Sequence, residues 1–136
     1  MSEPPRPPSA LVRSGYDAFA RGDVDTVLGL LDEEVEWSEA EGNPYDPGRP
    51  LVGRQEVLGV LSRLAEDFEG FRIEVERLLT DGDTVVVLGR YRAVQARPTG
   101  LPLDCQAVHV WDVRDGRVAR FQQYCDTRQF ARVLGS

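Results

Sequence analysis

The spacing of apolar residues along this chain changes from helical to alternating near Gly70. Between Arg54 and Phe68 the apolar residues lie at helical spacing, so a helix is predicted there that Gly70 ends. After Gly70, apolar and polar residues alternate as they do in half-buried strands. A meander of strands that follows a group of helices predicts an α+β fold, with helices on one face of an antiparallel sheet.

The remaining elements are predicted from the same patterns. Two helices come first, over Ser9–Ala20 and from Asp23, and the apolar stripe of the second runs to Leu31. A strand at Val35–Glu39 leads into a loop rich in Gly and Pro, residues 40–53, and long loops of this kind often cover a functional site. The later elements are strands at Phe71–Glu76, Thr84–Gln95, Leu103–Val113 and Val118–Cys125, and a helix at Thr127–Leu134.

Composition limits the classes of protein to which the chain can belong. With 136 residues, 41% of them apolar, it has the size and composition of one soluble domain. The net charge is −7 and the basic residues, all Arg, form no stripe, so no nucleic-acid partner is expected. No apolar run is long enough to span a membrane and no signal peptide opens the chain, so no membrane partner is expected. Residues 1–8 are rich in Pro and are expected to form a disordered tail before a domain of residues 9–136.

Two cysteines, Cys105 and Cys125, are too few for a disulfide framework, which favours a cytoplasmic location. Cys105 shares a strand face with His109, but about 13 Å of strand separates them, so they cannot bind one tetrahedral ion and no metal site is expected. A register that pairs His109 with Phe121 places the two cysteines opposite each other. A cross-strand disulfide is then one alternative, and two buried thiols are the other.

His109 is the only histidine of the chain, and it lies in the middle of a predicted strand. Ala107 and Trp111 share its face, and the neighbouring strand adds Phe121 and Gln123. An apolar face with isolated polar groups is typical of a ligand pocket. His109 is therefore a candidate for ligand contact, and a structural hydrogen-bonding role is the alternative.

Several short motifs carry a family resemblance. They are Gly22-Asp23 between the first helices, Val35-Glu36-Trp37 in the first strand, and the segment from Val110-Trp111 through Asp115-Gly116-Arg117 to Gln123-Tyr124. In these motifs the chain resembles the nuclear transport factor 2-like superfamily, and more narrowly its SnoaL-like and ketosteroid-isomerase-like members, over residues 9–134. The resemblance implies a cone-shaped α+β barrel, in which a curved, mostly antiparallel (mixed) sheet wraps around the N-terminal helices and a short helix ends the chain. It also implies a deep apolar pocket and a homodimer formed through the outer face of the sheet.

Ketosteroid isomerases supply a template for the site. In them a carboxylate moves a proton next to a carbonyl, while a Tyr and a protonated Asp hold the oxyanion. Counting from Gly22, this resemblance implies that Glu39 is the carboxylate, and counting back from Gly116 it implies that His109 stands in place of the protonated Asp. The template Tyr falls on Gly15. Because one helical step turns by about 100°, Tyr16 is expected to point elsewhere.

Three residues are therefore candidates for catalysis: Glu39, His109 and Asp126. Glu39 shares the face of Trp37, where desolvation would raise its pKa towards that of a base at neutral pH; the alternative is a solvated acidic run. Asp126 stands where some SnoaL-like cyclases carry an acid–base group, and the alternative is that it or Thr127 caps the last helix. The residues expected to line the ligand site are Trp37, Tyr45, Tyr91, Trp111, Phe121 and Gln123.

Two functions are compatible with these residues. The first is an isomerase, cyclase or lyase that needs no cofactor and moves a proton next to the carbonyl of a small hydrophobic molecule. In it Glu39 moves the proton and His109 donates a hydrogen bond to the oxyanion. The second is a module that binds an apolar molecule or dimerises without catalysis.

Overall fold

The computed structural model describes residues 6–136, so residues 1–5 of the expected tail lie outside the described residues. Helix α1 begins at Pro8, one residue before the predicted start, because a Pro in the first turn lacks only an N–H that has no partner within the helix. The elements of this part of the chain are α1 (Pro8–Ala20), α2 (Val24–Gly29), β1 (Leu31–Ser38), β2 (Leu51–Val52), α3 (Arg54–Asp67), β3 (Phe68–Glu69), β4 (Arg72–Asp81), β5 (Thr84–Ala93), β6 (Gln95–Ala96), β7 (Leu103–Arg114), β8 (Arg117–Cys125) and α4 (Thr127–Val133).

Six strands form one curved sheet in the order β2-β1-β8-β7-β5-β4. The neighbours β1 and β8 are parallel and all other neighbours are antiparallel, so the sheet is mixed, as predicted. A bulge in β4 between Val75 and Arg77, next to Gly89 of β5, bends the sheet. A Cβ atom at Gly89 would lie 2.0 Å from the backbone oxygen of Glu74, so a residue without a side chain is required there.

The inner face of the sheet and the helices share one core. Every second residue of β5 is buried, as the alternation predicted, and β7 and β8 bury the face that carries His109. Residues of α1 and α3, among them Leu11, Val12, Val57 and Val60, are buried in the same cluster. This places the helices inside the curve of the sheet and confirms the predicted α+β architecture. None of the helices within residues 6–136 is long and apolar enough to cross a membrane.

The register of β7 and β8 differs from the prediction by two residues. His109 lies opposite Gln123, while Phe121 lies opposite Trp111. Because the difference is even, every side chain stays on the predicted face. Cys125 lies opposite Ala107, so the predicted placement of the two cysteines opposite each other is wrong. Both are free thiols, and burial raises the pKa of Cys105 to about 11 and that of Cys125 to about 12.

Several boundaries also differ from the prediction, each because a distant segment supplies a backbone partner. Leu31 begins β1 instead of extending the second helix, and it pairs with Val118 of β8. Phe68 leaves the helix and pairs with Ala96, so α3 ends at Asp67. Within the expected loop, Leu51 pairs with Trp37. Helical and alternating patterns are local, and they carry no information about such partners.

Candidate functional site

The sheet and the helices enclose a mainly apolar cavity of about 70 Å³, room for the centres of roughly five water molecules. All four helices and the strands β1, β4, β5, β7 and β8 contribute to its wall. The apolar lining includes Leu11, Val12, Phe19, Leu30, Val60, Leu61, Leu64, Phe71, Ile73 and Phe130.

The structure brings most of the predicted site residues together around this cavity. Two of the three catalytic candidates, Glu39 and His109, line it with all of the predicted ligand-lining residues, Trp37, Tyr45, Tyr91, Trp111, Phe121 and Gln123. Asp126 does not line it. Its side chain is exposed and accepts a hydrogen bond from the backbone N–H of Gln129 at 3.1 Å, so it is the N-cap of α4.

His109 is held between two tyrosines. Its Nδ1 lies 2.6 Å from the hydroxyl of Tyr16, and its Nε2 lies 2.5 Å from the hydroxyl of Tyr91. The expectation that Tyr16 points elsewhere is therefore wrong. Gly15 and Tyr16 both line the cavity, and the long Tyr16 side chain reaches across it to β7, with its ring parallel to the imidazole of His109.

Each tyrosine hydroxyl also accepts a hydrogen bond from a neighbour. The indole N–H of Trp111 donates to Tyr16 at 3.0 Å, and the side-chain amide of Gln123 donates to Tyr91 at 2.8 Å. The network thus runs from Trp111 through both tyrosines and His109 to Gln123. It joins α1 to the three central strands of the sheet inside the core.

Asn43 is a member of this network that the sequence did not indicate. Its side-chain amide donates to Oε1 of Gln123 at 3.0 Å, and the backbone N–H of Ala40 donates to the same oxygen at 3.2 Å. Asn43 is buried, and its Oδ1 also accepts from the backbone N–H of Tyr45. Asn in a loop of Gly and Pro looks like an ordinary turn residue, so no local pattern distinguishes it.

Burial sets the protonation states of the network. His109 is only 4% exposed, and desolvation lowers its pKa to about 3, so the imidazole is neutral at neutral pH. Desolvation raises the pKa of Tyr16 and of Tyr91, so both phenols keep their protons. Because both nitrogens of His109 already have partners, the tyrosine hydroxyls, and not the imidazole, are the hydrogen-bond donors that this network offers to the cavity.

Glu39 is the acidic group of the cavity. It follows the end of β1 and is 7% exposed, and desolvation raises its pKa to about 7. Nearby Asp46 raises this pKa further, whereas the indole of Trp37 lowers it. Within residues 6–136, neither Oε2 of Glu39 nor Nε1 of Trp37 has a hydrogen-bond partner, although both atoms are buried. Unpaired buried polar atoms are uncommon and often mark a place for a ligand or a reacting group.

Glu39 also borders a second space. This is an open groove of about 780 Å³ whose wall includes Glu41, Asp46 and Arg49. Glu39 therefore borders both the apolar cavity and a polar groove.

Comparison with known proteins decides the family. The sequence profile of the SnoaL-like domain matches residues 12–121, most of the chain. The chain belongs to the SnoaL-like domain family. Comparison with curated proteins finds no match.

Solved structures of SnoaL-like and NTF2-like proteins share this fold. An NTF2-like protein from Burkholderia thailandensis is 30% identical, with a TM-score of 0.89 over 96% of this chain and 99% of that chain. TerC, co-crystallised with polyporic acid, is 26% identical, with a TM-score of 0.84 over 96% and 100% of the two chains. IdmH from Streptomyces antibioticus, a putative polyketide cyclase, is 25% identical, with a TM-score of 0.79 over 96% and 100%. These likenesses place the chain in a family of small-molecule pocket proteins.

In this SnoaL-like domain, Tyr45 ties the loop of residues 40–53 to α3. Its hydroxyl donates to Oδ2 of Asp67 at 2.7 Å, and the guanidinium of Arg63 lies 4.3 Å from the centre of its ring. The loop is thereby held over the cavity next to Glu39. Within residues 6–136 no three His, Cys, Asp or Glu side chains lie close enough together to hold a metal ion.

Proposed function

We propose that this SnoaL-like protein is an isomerase or cyclase that moves a proton next to the carbonyl of a small apolar molecule, without a cofactor. The observation that carries the proposal is the buried Glu39 carboxyl on the same cavity as the tyrosine–histidine network; its Oε2 has no hydrogen-bond partner within residues 6–136. A base and a hydrogen-bond donor on one apolar cavity are what enolisation requires.

Glu39 takes the part of the base. With a pKa of about 7, about half of the carboxyls are ionised at neutral pH, and an ionised carboxylate in an apolar cavity is a stronger base than one in water. It removes a proton from the carbon next to the carbonyl and returns that proton to another carbon of the substrate. The bonds balance without an oxidant or a second reactant.

A tyrosine hydroxyl takes the part of the oxyanion donor. As the proton leaves, charge develops on the carbonyl oxygen, and a positioned donor typically stabilises it by about 3–4 kcal/mol. Tyr16 or Tyr91 fills this role, whereas His109 holds the two hydroxyls in place. The role that the template suggested for His109 therefore passes to its neighbours.

The ligand is a small organic molecule with an apolar body. The cavity wall is formed mainly by aliphatic and aromatic side chains, which favour such a body. Two similar proteins, TerC, co-crystallised with polyporic acid, and IdmH, a putative polyketide cyclase, support a carbonyl-bearing ligand of polyketide type.

Hydrogen–deuterium exchange tests the proposal without knowledge of the natural substrate. Cyclohexanone is incubated with the protein in D2O, and loss of the proton signal next to the carbonyl is followed by NMR. We expect exchange above the buffer rate, and a loss of about 10²–10⁴-fold of that excess in Glu39→Gln. Glu41→Gln, an exposed neighbour on the groove, is the matched control and should exchange like the parent. Equal exchange by parent and Glu39→Gln would refute the assignment of the base.

A non-catalytic binding protein is the second candidate. The observation that favours it is the small volume of the cavity together with the occupation of both His109 nitrogens. In this case cyclohexanone binds to parent and Glu39→Gln with the same affinity, and neither variant accelerates exchange.

We further propose a homodimer formed through the outer face of the sheet, in the cytoplasm. Leu79 and Tyr124 are exposed large apolar residues on β4 and β8, and both cysteines are free thiols. Light scattering at micromolar concentration tests the dimer, and a monomer there would refute it.

A further inference from the structure

The two tyrosines and His109 share more protons than their contacts use. Each phenol carries one proton and the neutral imidazole carries one, so three protons serve the two O···N contacts of 2.6 Å and 2.5 Å. Each contact uses one proton. One hydroxyl proton is therefore left over.

The groups around the network fix the direction of the other bonds. The Trp111 indole N–H can only donate, and it donates to Tyr16. The backbone N–H of Ala40 requires the oxygen of the Gln123 amide, so the nitrogen of that amide must face Tyr91 and donate to it. Each hydroxyl thus already accepts one bond from outside. Only the proton of the imidazole is free to change place.

Two arrangements follow. With the imidazole proton on Nε2, His109 donates to Tyr91 and accepts from Tyr16, which leaves the hydroxyl proton of Tyr91 free. With the proton on Nδ1, His109 donates to Tyr16 and accepts from Tyr91, which leaves the hydroxyl proton of Tyr16 free. Both hydroxyl-bearing residues line the cavity. In either arrangement the free hydroxyl accepts two hydrogen bonds, which polarises it and strengthens it as a donor.

We propose that His109 is a tautomeric switch: the carbonyl oxygen of a ligand accepts a hydrogen bond from the spare hydroxyl of Tyr16 or Tyr91, and the position of that oxygen selects the imidazole tautomer. His109 is then a positioning residue that touches no ligand. This end of the cavity takes one acceptor oxygen, as in a ketone, ester or quinone, and disfavours an ammonium group. The inference rests on the proposed function only in that a carbonyl compound enters the cavity; it requires no proton transfer to carbon.

Nitrogen NMR of the imidazole tests the switch without any ligand. Because His109 is the only histidine, selective ¹⁵N labelling gives one imidazole, whose two nitrogen shifts report its tautomer. In Tyr91→Phe only Tyr16 remains as a partner, and in Tyr16→Phe only Tyr91 remains. A buried N–H without an acceptor is less tolerated than an acceptor without a donor. We therefore expect the Nδ1–H form in Tyr91→Phe and the Nε2–H form in Tyr16→Phe. The same tautomer in both variants, or an imidazolium in either, would overturn the proposal.

A titration of the parent protein tests ligand selection. Cyclohexanone is the probe, and methylenecyclohexane, which has the same shape without the acceptor oxygen, is its matched control. We expect cyclohexanone to move the two nitrogen shifts in opposite directions, and the hydrocarbon to leave them unchanged. Unchanged nitrogen shifts at saturating ketone, shifts that move in the same direction, or failure of the ketone to bind would each overturn the proposal.

The two proposals fail separately. Proton exchange of cyclohexanone in the same samples reports catalysis, whereas the nitrogen shifts report only the tautomer. A tautomer response without exchange removes the catalytic proposal and keeps the switch. Proton exchange without a change of tautomer removes the switch and keeps the catalytic proposal.

Discussion

The hydroxyl of Tyr16 lies 2.6 Å from Nδ1 of His109, although 93 positions separate the two residues. This contact joins the first helix to the centre of the sheet by a polar bond inside an apolar core. It also changes the chemistry of the site, because it occupies the nitrogen of His109 that faces α1. The tyrosine hydroxyls, and not the imidazole, are then the groups of this network that can donate a hydrogen bond into the cavity.

Removal of the Tyr16 hydroxyl should destabilise the fold. Tyr16→Phe leaves the Trp111 indole N–H and Nδ1 of His109 without their shared partner. Unsatisfied buried polar groups cost about 1–3 kcal/mol each, so we expect the loss of two partners to lower the free energy of unfolding in urea by about 2–6 kcal/mol. Tyr124→Phe is the control, since Tyr124 is 55% exposed, and it should change stability by less than about 0.5 kcal/mol. Equal effects of the two substitutions would contradict the role of the buried hydroxyl.

The raised pKa of Glu39 makes the stability of the protein depend on pH. Its pKa rises from 4.5 to about 7 on folding, so the unfolded carboxyl ionises first, and stability is lost as pH rises from about 4.5 through about 7. The shift corresponds to about 3 kcal/mol. Glu39→Gln should match the parent near pH 4 and exceed it by up to about that amount above pH 7. Urea unfolding at a series of pH values measures this difference, and a difference that does not vary with pH would refute the buried acid.

His109 should not titrate in the folded protein over the range in which histidine normally does. Its pKa falls from 6.5 to about 3 on folding, so stability is lost as pH falls from about 6.5 towards 3, opposite in sign to the effect of Glu39. Proton NMR should show a constant imidazole C–H shift from about pH 8 to about pH 4, and a normal titration near pH 6.5 in urea. A folded-state titration near neutral pH would contradict the burial of this ring.

Substitution of Gly89 should destabilise the protein, whereas substitution of a glycine exposed on a helix should not. In Gly89→Ala the new Cβ meets the backbone oxygen of Glu74 at 2.0 Å, and the bulged strands must move apart at a cost of about 1–3 kcal/mol or more. Gly59→Ala is the matched control, because Gly59 lies exposed in α3 with no atom within 4 Å of the new Cβ, and it should stabilise by about 0.5–1 kcal/mol. Thermal unfolding of both variants measures the contrast, and a shift of the same sign in both would contradict this account of the bulge.

The inward-facing residues show how far local pattern extends. Alternation in β5, β7 and β8 predicted the faces of Tyr91, His109 and Gln123, and the two-residue error in register left these faces unchanged. The predicted direction of the Tyr16 side chain was wrong for a different reason. Counting along a helix predicts directions around its axis, but the place where that helix crosses the sheet depends on packing of the whole core.

Local pattern was enough to predict the main helices and strands, their faces and the family, because helical spacing, alternation and short turn motifs are properties of neighbouring residues. Which polar groups meet depends on tertiary packing: Tyr16 contacts His109, Asn43 contacts Gln123, and Oε2 of Glu39 has no partner within residues 6–136. A hydrogen bond needs two atoms within about 3 Å, and the pKa of a carboxyl depends on what surrounds it. Both are set by segments far apart in the chain, which come together only in the packed fold.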